Sequence, residues 1–374
     1  MGDFSDDVIL LCDSLGVGGA EKQILAISKQ LAGQMIRTHI VCLRAIKGGD
    51  RRSNQVRLLQ QGGVSVLAGD TVRGVFQVSR LLARVMIRRR SRVLWTWGAK
   101  ADVIGLIIAL CNPHIRLVCS LRSASEARFR RLRILYAYLV KRAHLFISNS
   151  LLALQQLESL IGNCPRSFLL PNFLAKAELD ADSVALPDRI EHLRVGMLGN
   201  VKFEIKGYDL VLEAAQMLSR ENFPVRIQIA GGGPESNRLL REIEERGLGR
   251  IIEYVGEVVD TAGFLRSQHV FLLASRFEGM PNALCEAMSL GLPSISTMVG
   301  DVAEMNAKED IIYLCRIGES SDIRDRIVEV LNNWREAKQR GSKSRQLARA
   351  RFSAEAHIPA LLQQLANLEP FKGS

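Results

Sequence analysis

Short apolar runs alternate with helix-periodic segments along almost the whole of this 374-residue chain, and that alternation restricts its fold more than any other feature. In the first half, residues 8–12, 38–43, 64–67, 93–97, 115–121 and 144–148 read as strands, with helices over 20–31, 75–89, 101–110, 126–141 and 151–161. This order predicts βαβ units and a parallel sheet. A polar, weakly patterned stretch at 172–190 interrupts the alternation, which then restarts. Strands are expected over 193–198, 225–230, 251–255, 270–273, 294–296 and 311–315, and helices over 208–218, 235–246, 261–267, 283–290, 322–335 and 343–368. The expected class is α/β, with two doubly wound, Rossmann-like domains (1–171 and 191–352) joined by a linker at 172–190. Such halves are expected to face each other across a cleft, a favoured place for ligands.

Composition narrows the function classes. Hydrophobic residues make up 47% and charged residues 24% of the chain, the profile of a globular protein with a real core. The seven cysteines, at 12, 42, 111, 119, 164, 285 and 315, form no C-x-x-C pair. Most sit in apolar patterns, so they read as reduced core residues of a cytoplasmic protein. The six histidines are scattered, with no H-E-x-x-H, and no metal site is expected. The opening segment, Met1-Gly-Asp-Phe-Ser-Asp-Asp7, lacks the basic region of a signal peptide. The longest apolar run, 103–111, is far short of a bilayer span, so a soluble or peripheral protein is expected. Charge is uneven. Residues 1–170 carry 25 Lys and Arg against 10 Asp and Glu, a surplus of +15, whereas residues 171–374 carry 25 against 29, a net of −4. The first half is therefore expected to meet something anionic, a membrane surface or nucleic acid.

The chemistry concentrates in Glu278-Gly-Met-Pro-Asn-Ala-Leu-Cys-Glu286, which sets two carboxylates eight positions apart. The first falls in the loop at the carboxyl end of a strand, where ligands bind in open α/β sheets. The second falls on the helix that begins there, and a helix N-terminus favours phosphate. One carboxylate can hold sugar hydroxyls and the other a ribose, with backbone N–H groups between them facing a pyrophosphate. Two isolated glutamates flanking a helix would simply be solvated. The longer string Ser275-Arg-Phe-Glu-Gly-Met-Pro-Asn-Ala-Leu-Cys-Glu-Ala-Met-Ser-Leu-Gly-Leu-Pro293 resembles the donor-site signature of the retaining glycosyltransferases of family 4, which have the GT-B fold. Both the E-x7-E spacing and the following A-M-x-x-G-x-P are met.

That resemblance implies a nucleotide-sugar donor as co-substrate, with no separate cofactor and no metal. It implies Glu286 on the ribose hydroxyls, Glu278 on the transferring sugar, and Met280, Pro281, Asn282 and Ala283 presenting backbone to sugar and phosphate. It also implies that 353–374 forms a helix returning toward the first domain, and that 191–352 is the donor-binding domain. Other segments align with it. Gly16-Val-Gly-Gly-Ala-Glu21 departs from G-x-G-x-x-G because Glu21 stands at the third glycine, and the second strand ends without an acidic residue, so a nicotinamide dinucleotide is not expected. It resembles the family's G-G-A-E loop, which would place Gly18 and Gly19 at the donor; a plain tight turn is the alternative. Lys206-Gly207 maps onto the family's K-G pair, with Lys206 as a cation for the diphosphate; a solvated surface lysine is its alternative. Where the family commonly has a second cation, an arginine, this chain has Asn200, a neutral amide, and Lys202 stands nearby as a replacement. Gly231-Gly-Gly-Pro-Glu235 resembles the family's G-x-G-P-E turn and places Gly232 near the donor, although the same residues make an ordinary turn. Arg122, at the end of the 115–121 strand, stands where many members have a histidine near the reacting centre. It could hold a donor or acceptor phosphate, or belong to a basic surface.

Two segments, 73–90 and 126–142, read as basic amphipathic helices that could lie on an anionic membrane, the bland reading being a solvated face. The expected protein is a retaining, metal-independent hexosyltransferase with Lys206, Glu278 and Arg122 as catalytic candidates. Its expected donor is a UDP- or GDP-linked hexose or N-acetylhexosamine. Its expected acceptor is a lipid-linked surface glycan, such as an O-antigen, capsule or exopolysaccharide precursor, at the cytoplasmic face of the plasma membrane. Two rivals stand beside it, a nucleotide-sugar 2-epimerase on the same plan and a non-enzymatic binder of anionic polymers. Nucleic acid is not expected, since aromatic residues are only 6% and offer few stacking platforms.

Overall fold

A computed structural model of the chain describes residues 7–13, 15, 19–44, 56–57, 59–68, 82, 92–122, 133–162, 166–307 and 309–368. The chain divides into two compact units, residues 1–173 with 354–374, and residues 174–353. Two parallel sheets form their cores, as the βα alternation predicts. In the first unit, β1 (Val8–Cys12), β2 (Thr38–Cys42), β3 (Ser65–Ala68), β4 (Val93–Trp97), β5 (Arg116–Leu121), β6 (Leu145–Ser148) and β7 (Ser167–Leu169) lie in the order β3-β2-β1-β4-β5-β6-β7. In the second, β8 (Leu193–Leu198), β9 (Val225–Ala230), β10 (Ile252–Gly256), β11 (Val270–Leu273), β12 (Ser294–Thr297) and β13 (Ile312–Cys315) lie in the order β10-β9-β8-β11-β12-β13. Strand order reverses at β1/β4 in one sheet and at β8/β11 in the other. Such reversals open a crevice at the carboxyl ends of the strands.

Side chains alternate across each sheet, and both faces are covered. Val8, Leu10, Ile40 and Trp95 belong to one apolar cluster, and Ile9, Leu11, Val41 and Leu94 to the opposite one. In the second unit Val195, Ile227 and Leu272 face one way, and Phe271, Leu273 and Ile312 the other. This double burial explains why β1, β4 and β11 read as nearly continuous apolar runs.

Several elements differ from those expected, among them an additional short helix, Val302–Asn306. Strand β7 is additional to the expected set; Ser167 is exposed and Phe168 and Leu169 are only partly buried, so its apolar signal is weak. The helix expected over 343–368 is two helices, Trp334–Arg351 and Ala354–Ala366, separated at Phe352 and Ser353. Phe352 is fully buried in the second unit, whereas Ala354, Ile358, Leu361 and Leu365 pack into the first. Residues 174–190 carry a short helix, Lys176–Asp180, and Leu174 and Leu179 are buried in the second unit. A four-residue helix, Phe203–Lys206, follows β8. Of the two basic segments, 73–90 lies outside the described residues apart from Leu82, as does 126–132, while Arg133–Arg142 is helical. No helix among the described residues is long and apolar enough to cross a membrane.

Candidate active site

The second unit brings Lys206 and Glu278 together at the β8/β11 reversal, although 72 positions separate them. Lys206 Nζ donates to Glu278 Oε1 at 2.5 Å, and Ser275 Oγ donates to the same oxygen at 2.8 Å. Both charged side chains are mostly shielded, at 22% and 16% exposure, so the pair is less screened than a surface ion pair.

Several contacts hold this pair in place. Gly207, directly after Lys206, has φ +67°, and a Cβ there would fall 2.1 Å from Ala274 O. Only glycine lets the β8 loop lie so close to the end of β11. Arg276 N donates to Ile205 O at 2.8 Å, and the Arg276 guanidinium binds both oxygens of Asp209 at 2.8 and 2.6 Å. Hydrogen bonding to Asp209 holds the Arg276 pKa above its ordinary value. Burial alone would raise the Asp209 carboxyl, but Arg276 together with the backbone N–H groups of Asp209 and Leu210 offsets this and holds it below the usual range. Glu235 Oε2 accepts from Phe203 N at 2.8 Å, so the Gly231–Glu235 turn anchors the helix that presents Lys206. Gly232 takes part through its carbonyl, which accepts from Val201 N at 2.9 Å.

The remaining candidates of this unit cluster around the same edge. Met280 and Pro281 are buried, and Asn282 and Ala283 are partly buried at the start of the Asn282–Ser289 helix. Pro281 makes no side-chain cap there, and the first-turn N–H groups have no carbonyl within the helix. Glu286 is 6% exposed on that helix. Asn200 and Lys202 are exposed. Sequence reasoning misses the roles of Ser275, Arg276, Asp209 and Glu235. Ser275 and Arg276 lie within the recognised string, but their partners are set by tertiary contacts.

In the first unit, Gly18 lies outside the described residues, and Gly19 begins the Gly19–Gly33 helix. Arg122 follows β5, its guanidinium 4.0 Å from the Trp97 ring centroid, with Nη1 donating to Asn172 Oδ1 at 3.4 Å. Within the 126–142 segment, Arg142 is buried and donates to Ala109 O and Asn112 O, ending the Ala99–Cys111 helix rather than facing solvent. Among the described residues no three His, Cys, Asp or Glu side chains converge as a metal-binding group.

Comparison with known proteins gives the family and the fold. Residues 17–174 match the model of Glycosyltransferase Family 4, and residues 192–333 that of Glycosyl transferases group 1. N-acetyl-alpha-D-glucosaminyl L-malate synthase of Bacillus anthracis is 26% identical over 130 residues, 35% of this chain and 34% of that protein. Poly(ribitol-phosphate) alpha-N-acetylglucosaminyltransferase of Staphylococcus aureus is 25% identical over 167 residues, 44% of this chain and 32% of that protein. The chain thus matches about a third of the length of these relatives. Anabaena HepE, solved in complex with UDP and glucose, superposes with a TM-score of 0.79 at 19% identity, over 97% of this chain and 100% of that one. That likeness shows the GT-B fold.

Proposed function

The chain belongs to the group 1 and family 4 glycosyltransferases, and we propose that it transfers a hexose or N-acetylhexosamine from a UDP- or GDP-linked donor, with retention and without a metal. The observation that carries this reading is the Lys206–Glu278 pair at the strand-order reversal of the second unit. Lys206 offsets negative charge building on the departing diphosphate, and the first turn of the Asn282–Ser289 helix adds N–H donors. Glu278 fixes the ammonium through one oxygen and offers the other to sugar hydroxyls. Glu286 accepts from the ribose hydroxyls. As the bond from the anomeric carbon to the diphosphate oxygen breaks, the acceptor oxygen bonds to that carbon on the same face, and the leaving phosphate takes the acceptor proton.

The acceptor in this reading is a lipid-linked surface glycan, and the surplus of +15 in residues 1–170 favours an anionic membrane surface. Two relatives carry L-malate and poly(ribitol-phosphate) in their names, which supports an acceptor rather than an isomerisation without one. Calorimetry with UDP- and GDP-sugars tests the donor, and product analysis tests retention. Lys206→Ala and Glu286→Ala are each expected to lower turnover on the order of 100-fold or more while the fold survives. Full activity in both would reject the assignment.

A further inference from the structure

Four strands of the first unit end in polar side chains that touch one another. Trp97 closes β4, Arg122 follows β5, Asn149 follows β6, and Asn172 lies beyond β7. Arg122 stacks on Trp97 and donates to Asn172 Oδ1, which also accepts from Asn149 Nδ2 at 3.1 Å. The cluster lies at the carboxyl edge of a parallel sheet, beside the β1/β4 reversal, where Cys12 and Trp97 are in register.

Its polar atoms are incompletely matched. Arg122 Nε and Nη2, Trp97 Nε1 and Asn149 Oδ1 are all shielded from solvent without a hydrogen-bond partner among the described residues. Shielded donors left unmatched cost stability, and a guanidinium is the costliest of them. Burial pulls the Arg122 pKa down to about 9, with no carboxylate among the described residues opposing it. Lys206, its counterpart in the second unit, is paired with Glu278.

We propose that Trp97, Arg122, Asn149 and Asn172 form a binding site for an oxyanion, a phosphate or carboxylate carried by the acceptor. Arg122 presents two N–H groups to one or two oxygens of the anion, and the Trp97 indole N–H presents a third. Asn149 Oδ1 accepts from a hydroxyl beside it. The assignment to the acceptor rests on the donor reading above, in which Lys206 meets the donor diphosphate. Oxyanion binding itself does not depend on it.

The test follows the indole N–H resonance of Trp97 in the full chain, assigned with Trp97→Phe, as inorganic phosphate or acetate is added without nucleotide sugar. Either anion is expected to move the Trp97 resonance and leave that of Trp334 in place. Phosphate alone would identify a phosphate-bearing acceptor, and acetate alone an acidic sugar. Arg122→Met is expected to weaken the binding about 10- to 100-fold, the scale for charge-assisted hydrogen bonds, and to melt no lower than the parent in anion-free buffer. Trp97→Phe keeps the ring beneath the guanidinium and is expected to reduce the rise in Tm that phosphate produces. The proposal is overturned if neither anion moves the resonance, if Arg122→Met responds like the parent, or if UDP moves it and neither simple anion does.

Discussion

Two shielded cations at strand ends, Lys206 in the second unit and Arg122 in the first, are partnered in opposite ways. In the second unit Lys206 is matched by Glu278, and Arg276 by Asp209. In the first, Arg122 has an aromatic face and an amide but no carboxylate among its described partners. A matched pair offsets the desolvation that either charge would suffer alone and orients both members, so the second unit is organised by its own contacts. An unmatched guanidinium is tolerated when a ligand supplies the missing charge.

Breaking the matched side should have the largest effect. Glu278→Ala leaves the Lys206 ammonium without its carboxylate, and turnover is expected to fall on the order of 100- to 1,000-fold in a coupled nucleotide-release assay. Wild-type turnover would remove the pair from the mechanism.

Acid stability sharpens the comparison, because here the two units agree. His144 stands just before β6, and its Nδ1 accepts from Leu117 N at 3.0 Å; His269 stands just before β11, and its Nδ1 accepts from Arg194 N at 3.2 Å. Burial, reinforced by nearby arginines, lowers the pKa of each to about 4. The unfolded chain therefore binds protons that the folded chain refuses as pH falls from about 6.5 to about 4. Stability is full above this window and is lost through it, by on the order of 3 kcal/mol per histidine. Denaturant titrations across that range measure the loss. His144→Asn and His269→Asn, which can keep an accepting oxygen near Nδ1, should each flatten it, and an unchanged slope in both would refute this account.

The smallest effect is expected at the clamp. Arg276→Met removes the bonds to Asp209 and should cost about 1–2 kcal/mol, because both groups are partly exposed. Weaker donor binding in calorimetry should accompany it, since the Phe203–Lys206 helix loses an anchor at Phe203 O.

Much of this is legible from the residues alone. Strands β1, β4, β8 and β9 have the expected bounds because the mainly apolar pattern of each gives way at a polar, glycine or proline residue. Glu278 and Lys206 can be named because they lie in recognisable strings. The Phe203–Lys206 helix cannot, since its anchor, Glu235, comes from a turn 32 positions away. Nor can the break at Phe352 and Ser353, where helix-forming residues continue on both sides and the change lies in which core they join.

The Ala354–Ala366 helix completes the first unit, although the whole of the second precedes it in the chain. On a ribosome, the sheet made first must therefore wait for about 180 further residues before Ile358, Leu361 and Leu365 arrive to close its core. At 5–20 residues per second that is roughly 10 to 40 s. The sheet made first is closed only after the second unit has been made, and during the delay its nascent apolar surface is open to chaperones.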